Sequence, residues 1–156
     1  MKKQNLIAVS LLTTALLSSP SVFQRSALAE KELTACDSAI SQAANTISTG
    51  RDARVVNMHF SDLAQEYNNY PANRPIDAMF VMRGRSVPDV LTSNQFMTIL
   101  ATRVINSCGS IGRVTFGPAN SDWLHSYGLV NGQVMGFTCV ESGTTNRALR
   151  WGERYC

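Results

Sequence analysis

The chain has 156 residues, 14 of them basic and 11 acidic, with 44% hydrophobic residues and four cysteines. This composition is typical of a globular domain and excludes the disordered, collagen-like and coiled-coil classes. The formal net charge of +3 comes from Lys2, Lys3 and Arg25, and the remainder of the chain is neutral. A nucleic-acid partner is therefore not expected, because such binding depends on a basic surface.

The beginning of the chain has the pattern of an export signal. Positive charges precede an apolar run from Leu6 to Leu17, and the triple Ala27–Ala29 supplies a small-x-small cleavage site of bacterial type. A helix of that apolar length reaches only about 18 Å, which is too short to span a membrane. The sequence therefore predicts a cleaved signal peptide over residues 1–29 and a single periplasmic or secreted domain over residues 30–156, with no transmembrane segment after cleavage.

A lipoprotein signal is the alternative interpretation of this region. Leu33-Thr34-Ala35-Cys36 has the residue types of such a signal, in which the cysteine becomes the acylated N-terminus. Its distance from the apolar run argues against it. Acylation would also leave an odd number of thiols in an oxidising compartment.

Apolar residues recur at steps of three and four in two early segments of the mature chain. The first predicts a helix from about Glu32 to Ser48, ended by Gly50. The second predicts a helix from about Asp52 to Tyr67, although Arg54 to Phe60 taken alone alternates as a strand would. Residues 68–75 contain two prolines and three asparagines, which predicts a loop.

The central segment combines one apolar run with one amphipathic pattern. Ala78 to Met82 is almost continuously apolar, as expected of a strand that is buried on both faces. Thr92 followed by Gln95 has the spacing of a capping box, and the apolar face behind it predicts a helix that ends before Gly109.

The last third of the chain is rich in glycine and alternates in short segments. The predicted strands are Ile111 to Phe116, Trp123 to Val130 and Gln133 to Val140, with Ala148 to Tyr155 as a further candidate. Asn131-Gly132 predicts a type I′ hairpin turn. The order of elements predicts an α+β fold in which N-terminal helices and one central helix pack on a mainly antiparallel sheet, stabilised by disulfides.

The four cysteines are Cys36, Cys108, Cys139 and Cys156. They contain no Cys-x-x-Cys pair, so the sequence predicts two structural disulfides and neither a zinc site nor a redox pair. The expected strand directions favour Cys108–Cys156 with Cys36–Cys139 over the two other connectivities, because a disulfide needs nearby Cα atoms.

His59, Asp62 and Glu66 would share one face of the predicted second helix, where a divalent metal could bind. The same residue types are expected on the solvated side of any amphipathic helix, and no second histidine lies nearby. The sequence therefore predicts no metal site, and no cofactor.

Asp122, His125 and Ser126 have the residue types of a catalytic triad. Adjacent residues of a strand point to opposite faces, however, so the Ser126 hydroxyl would not meet the His125 ring. No Gly-x-Ser-x-Gly turn is present to expose a serine nucleophile. A small exported hydrolase that uses His125 or His59 is retained as an alternative function.

Arginine dominates the basic residues, with ten arginines in the mature chain against the single Lys31. Arg150 and Arg154 flank Trp151 close to Cys156, and a disulfide there would hold the C-terminus rigid. Arginine and aromatic side chains are the usual anchors of protein interfaces. These three residues are therefore the predicted binding residues.

The leading functional prediction is a non-catalytic exported domain that binds a protein or another envelope macromolecule. An inhibitor, an assembly factor or an accessory subunit would each have this character. A small-ligand carrier, with a pocket between helices and sheet, is a third possibility beside the hydrolase.

Overall fold

A computed structural model of the chain describes residues 21–141, 143 and 147–156, with side chains from residue 30 onward. The predicted apolar run of the signal lies outside these residues. The elements are α1 Ser21–Ser48, β1 Arg54–Asp62, a 3-10 turn Leu63–Gln65, β2 Ile76–Arg83, α2 Val87–Thr92, α3 Asn94–Ser107, β3 Ile111–Pro118, β4 His125–Val130, β5 Gln133–Gly136, β6 Thr138–Val140 and β7 Glu153–Tyr155.

Five strands form one sheet in the order β1-β2-β3-β4-β5, and β6 pairs with β7 in a separate two-stranded sheet. In the large sheet every pair is antiparallel except β2 with β3, which are joined in parallel through α2 and α3. The fold is therefore α+β, with helices on a mainly antiparallel sheet, as the sequence predicts. The hairpin between β4 and β5 is also confirmed, since Asn131 and Gly132 have φ of 51° and 82°.

The predicted second helix, from Asp52 to Tyr67, is wrong: this segment forms β1 and then the 3-10 turn. Val56 is an extra residue in a β-bulge, where the register with β2 shifts. The bulge places Val55 and Met58, three positions apart, on the same core-facing side of the strand. The helical spacing relies instead on Val56 and Phe60, which are 43% and 57% exposed and mark no buried face.

The predicted capping box is also wrong. α3 begins after Ser93, whose side chain makes no capping hydrogen bond. Thr92 instead ends the short helix α2, and its hydroxyl donates to the carbonyls of Pro88 and Asp89. α3 itself is confirmed, and it ends at Ser107, before Gly109.

The main core lies between the sheet and the helices α1 and α3. Phe80 and Phe116, on adjacent strands, stack with ring centroids 5.4 Å apart, and both are fully buried. Cys36 of α1 forms a disulfide with Cys108 at the end of α3, with Cα atoms 4.6 Å apart. None of the helices in the described part of the chain is long and apolar enough to cross a membrane.

A smaller core lies on the other face of the sheet, where the C-terminal segment folds back. Tyr67, Phe137 and Trp151 contact one another edge to face, with centroids 4.9 to 6.1 Å apart. Leu63 and Leu149 complete this cluster. The face that carries it is called the open face below, because α1 and α3 do not cover it.

The predicted disulfide connectivity is wrong: Cys36 pairs with Cys108, and Cys139 pairs with Cys156 at a Cα distance of 5.4 Å. The prediction required the last strands to continue the antiparallel meander. The chain instead leaves the large sheet after Gly136, and β6 runs parallel to β7. The two C-terminal cysteines therefore reach the same end of the small sheet.

Candidate binding pocket on the open face

Alternation along three central strands places a set of polar side chains on the open face. Ala78, Val114, Phe116 and Tyr127 are buried in the main core, so the residues next to them in the strands point to the other face. Asp77 lies opposite Arg113 in the sheet register, and Thr115 lies opposite Ser126. The residues brought together in this way are buried although they are polar: Asp77, Arg113, Thr115 and Ser126.

Arg113 is the centre of a hydrogen-bonded ion network. Its Nη1 donates to Glu66 Oε2 at 2.7 Å and to the Tyr67 hydroxyl at 2.9 Å, and its Nη2 donates to Glu66 Oε1 at 3.0 Å. Nη2 also donates to Asp77 Oδ2 at 3.3 Å. The Nε atom lies 3.1 Å from Asp77 Oδ1 but is fully enclosed and makes no hydrogen bond.

Burial differs sharply within this network. The side chains of Arg113 and Asp77 are only 6% and 5% exposed, whereas that of Glu66 is 46% exposed. Burial raises the pKa of Asp77, and the charge of Arg113 offsets only part of that effect. Burial also opposes the charge of Arg113, but hydrogen bonds to Glu66 and the charge of Asp77 outweigh it and raise the pKa of Arg113. The guanidinium is therefore permanently charged.

The hydroxyl groups around the ion network are donors to other groups of the protein. Thr115 Oγ1 donates to Asp77 Oδ1 at 3.0 Å, so its proton is engaged. In the 3.0 Å contact between Thr115 and Ser126 the donor is consequently Ser126. The Tyr67 hydroxyl donates to the carbonyl of Glu153 at 2.6 Å. The hydroxyl donors of the network are thus used within the protein.

A cavity of about 480 Å³ opens above this network, between the open face and the C-terminal segment. Its floor is the ion network, and its walls include Gln65, Met79, Leu124, Leu149, Arg154 and Tyr155. A second cavity of about 690 Å³ shares Met79 and continues along the same face past His59, Val81 and Arg83. The two cavities together are called the groove below, and the first is called the pocket.

The three binding residues predicted from sequence are separated by the structure. Arg154 lines the pocket, and Arg150 has an exposed side chain. Trp151 belongs to the smaller core, and its Nε1 donates to the carbonyl of Leu129 at 2.8 Å. Trp151 therefore holds the C-terminal segment against the sheet, while Arg154 faces the cavity.

His59, Asp62 and Glu66 do not share a helical face, because their segment is a strand and a turn. His59 is exposed in the second cavity, with its Nε2 3.1 Å from Asn57 Nδ2. Asp62 caps the 3-10 turn by accepting from the Ala64 amide, and Glu66 binds Arg113. Among the described residues, no group of three potential metal-ligating side chains is placed to hold a metal ion.

His125 lies at the start of β4, with its ring 5.6 Å from that of Trp123. Burial lowers its pKa, and the charge of Arg154 lowers it further, so the ring is neutral at physiological pH. The adjacent Ser126 faces the pocket and bonds to Thr115. The structure therefore gives Ser126 a partner other than the His125 ring.

The ion network was missed in the sequence analysis. Arg113 lies inside the predicted strand Ile111 to Phe116, and Asp77 directly precedes the apolar run of β2. A charge within an apolar strand requires a buried partner, because an unpaired buried charge is very costly. That signal pointed to Arg113, but it did not identify Glu66, which comes from a different part of the chain.

Comparison with protein-family models, with curated proteins and with solved structures finds no match to this chain. Its function is therefore inferred from the geometry of the groove.

Proposed function

We propose that this chain is an exported, non-catalytic domain that binds an extended segment of another envelope protein in the groove. Export is supported by the two disulfides, since such bonds persist in oxidising compartments. Cleavage after Ala29 would remove the beginning of α1 and retain Cys36, Ala43 and Ile47, which attach that helix to the rest of the fold.

The groove is the observation that carries this proposal. Two adjacent cavities that share Met79 suit an extended chain better than a compact small molecule, which would need only one of them. A buried ion network at the base of one cavity is a poor device for stability, because its desolvation cost is comparable to its Coulomb energy. Its position beneath an open cavity supports a role in recognition instead.

Arg150, Trp151 and Arg154 have different roles in the proposed binding. Arg154 contacts the bound segment from the wall of the pocket, and exposed Arg150 is available to its flanking residues. Trp151 fixes the wall, since it packs against Tyr67 and Phe137. An inhibitor, an assembly factor or an accessory subunit would use such a surface.

Site-specific photo-crosslinking in the cells that produce the protein tests this proposal. A photoreactive amino acid at Met79, between the two cavities, is expected to give one discrete adduct with another protein. The same group at Arg103, exposed on α3 on the opposite side of the sheet, is the matched control and should give none. Equal labelling from both positions, or none from Met79, would contradict binding in the groove.

Two further measurements separate the alternatives. N-terminal sequencing of the exported protein should begin at Glu30, whereas an acylated Cys36 would establish a lipoprotein. The double variant His59→Ala with His125→Ala should keep the Met79 adduct and the cellular activity of the protein. Loss of that activity with the Met79 adduct retained would favour the hydrolase, because binding in the groove would then be intact.

A further inference from the structure

We infer that the pocket takes the ammonium or guanidinium group of a basic side chain in the bound segment. This inference rests on the proposed function, because the groove brings the segment to the pocket. It names a ligand chemistry for one part of that surface.

The hydrogen-bonding capacity of the pocket floor is one-sided. All four N–H groups on the two terminal nitrogens of Arg113 are engaged, and its Nε is enclosed. The Thr115 proton goes to Asp77, and the Ser126 proton goes to Thr115. The carboxylates of Glu66 and Asp77 and the Ser126 oxygen retain free lone pairs. The floor therefore offers acceptors and selects a ligand that donates.

The charge of the floor points in the same direction. Glu66 and Asp77 contribute two carboxylates against the single guanidinium of Arg113. A donor that also carries positive charge meets both requirements, because hydrogen bonds between ions are stronger than those between neutral groups.

The walls fit the remainder of a lysine or arginine side chain. Met79, Leu124 and Leu149 provide apolar surface for an aliphatic stem, which such side chains bury while the charged end reaches a polar group. Glu66 is half exposed and can be reached from the mouth of the pocket. Arg154 is the remaining charged residue of the lining, and it can donate to carbonyl groups of the segment backbone.

Three extended peptides of identical Gly/Ser-rich sequence, with lysine, norleucine or glutamate at the centre, test this inference. Binding to the oxidised protein is followed through the backbone NMR signals of Asp77, Thr115 and Ser126. The lysine peptide is expected to bind at least about tenfold more tightly than the norleucine peptide, equivalent to about 1.4 kcal/mol. The glutamate peptide should be the weakest of the three.

Matched variants locate the effect in the pocket. Glu66→Gln should remove most of the preference for lysine, whereas Asp89→Asn, an exposed carboxylate on α2, should leave it unchanged. Gln65→Glu adds a carboxylate to the wall without touching the ion network and should tighten binding of the lysine peptide. The Gln65→Glu variant remains informative if Glu66→Gln does not fold.

The outcomes distinguish this inference from the proposed function. Equal binding of the lysine and norleucine peptides on the open face would overturn the basic ligand while leaving the groove intact. Tightest binding of the glutamate peptide would show that the pocket prefers a negative charge, which would also overturn the inference of a basic ligand. Absence of any shift on the open face with all three peptides would contradict the groove itself.

Discussion

The two faces of the sheet are built on different physical principles. The helical face buries a continuous apolar core, which contains Phe80, Phe116 and the inward-facing side chains of α3. The open face buries Arg113 and Asp77 beneath a cavity and is covered in part by the smaller core. Each face has its own disulfide, which ties the covering segment back to the chain.

This contrast separates stability from recognition. Apolar burial contributes about 25 cal/mol for each Å² removed from water and is non-directional. A buried ion network contributes little net stability and depends on the exact placement of its partners. The open face therefore carries the groups whose arrangement a ligand can detect, on a sheet that the helical face holds in place.

Loss of a core ring should give the largest effect on the helical face. Phe116→Ala removes a fully buried side chain that stacks on Phe80, and it should lower the free energy of unfolding by about 3 to 5 kcal/mol. Ile99→Ala, on the exposed side of α3 with 51% exposure, should change it by less than about 0.5 kcal/mol. Urea unfolding measures both, and similar losses would contradict the placement of the core.

Removing each disulfide in turn shows how much it contributes to the free energy of unfolding on its own face of the sheet. The Cys36–Cys108 pair closes a separation of 72 residues and the Cys139–Cys156 pair one of 17, so their loss should cost about 4 and about 3 kcal/mol. Paired serine substitutions with urea unfolding give both values. A graded thiol treatment should reduce Cys139–Cys156 first, since Cys108 is buried and both C-terminal cysteines are exposed. Reduction in the opposite order would contradict this arrangement.

Breaking the ion network should destabilise the fold by about as much as loss of the Cys139–Cys156 disulfide. Arg113→Leu leaves the Asp77 carboxyl buried without its ionic partner and with only the Thr115 hydroxyl bonded to it, at a cost of about 3 kcal/mol. The double variant Asp77→Leu with Arg113→Leu removes both buried charges and should recover most of the loss in urea unfolding. If the double variant were as unstable as the single one, unpaired charge would not be the cause.

The smallest effect is expected from acid, at the C-terminal segment that closes the open face. The Arg147 side chain, and then the Arg150 backbone amide, lower the pKa of Glu153 from 4.5 to about 2. A lowered pKa in the folded state stabilises the fold above pH 4.5, and this contribution disappears as the pH falls through about 2. Glu153→Gln should remove this acid-dependent component from urea midpoints measured across that range. If the urea midpoint of the variant depended on pH as that of the original protein does, a group other than Glu153 would be responsible for the loss of stability in acid.

Local signals in the sequence were sufficient where one segment decides its own structure. The end of α1 before Gly50, the run that forms β2 and the Asn131-Gly132 turn all follow from periodicity or from a required backbone conformation. The α+β class follows from their order. Each of these features depends on residues within a few positions of one another.

Only the tertiary structure decided β1, the disulfide pairing and the pocket. β1 is a strand because it pairs with β2, whereas the sequence pattern alone is compatible with both a helix and a strand over Arg54 to Phe60. The disulfide pairing depends on which strand ends meet, which no spacing of cysteines specifies. Arg113 meets Asp77 and Glu66 across separations of 36 and 47 residues, through sheet register and the fold of the turn after β1. The sequence shows a charge in an apolar strand, whereas the three-dimensional path of the backbone determines its partners.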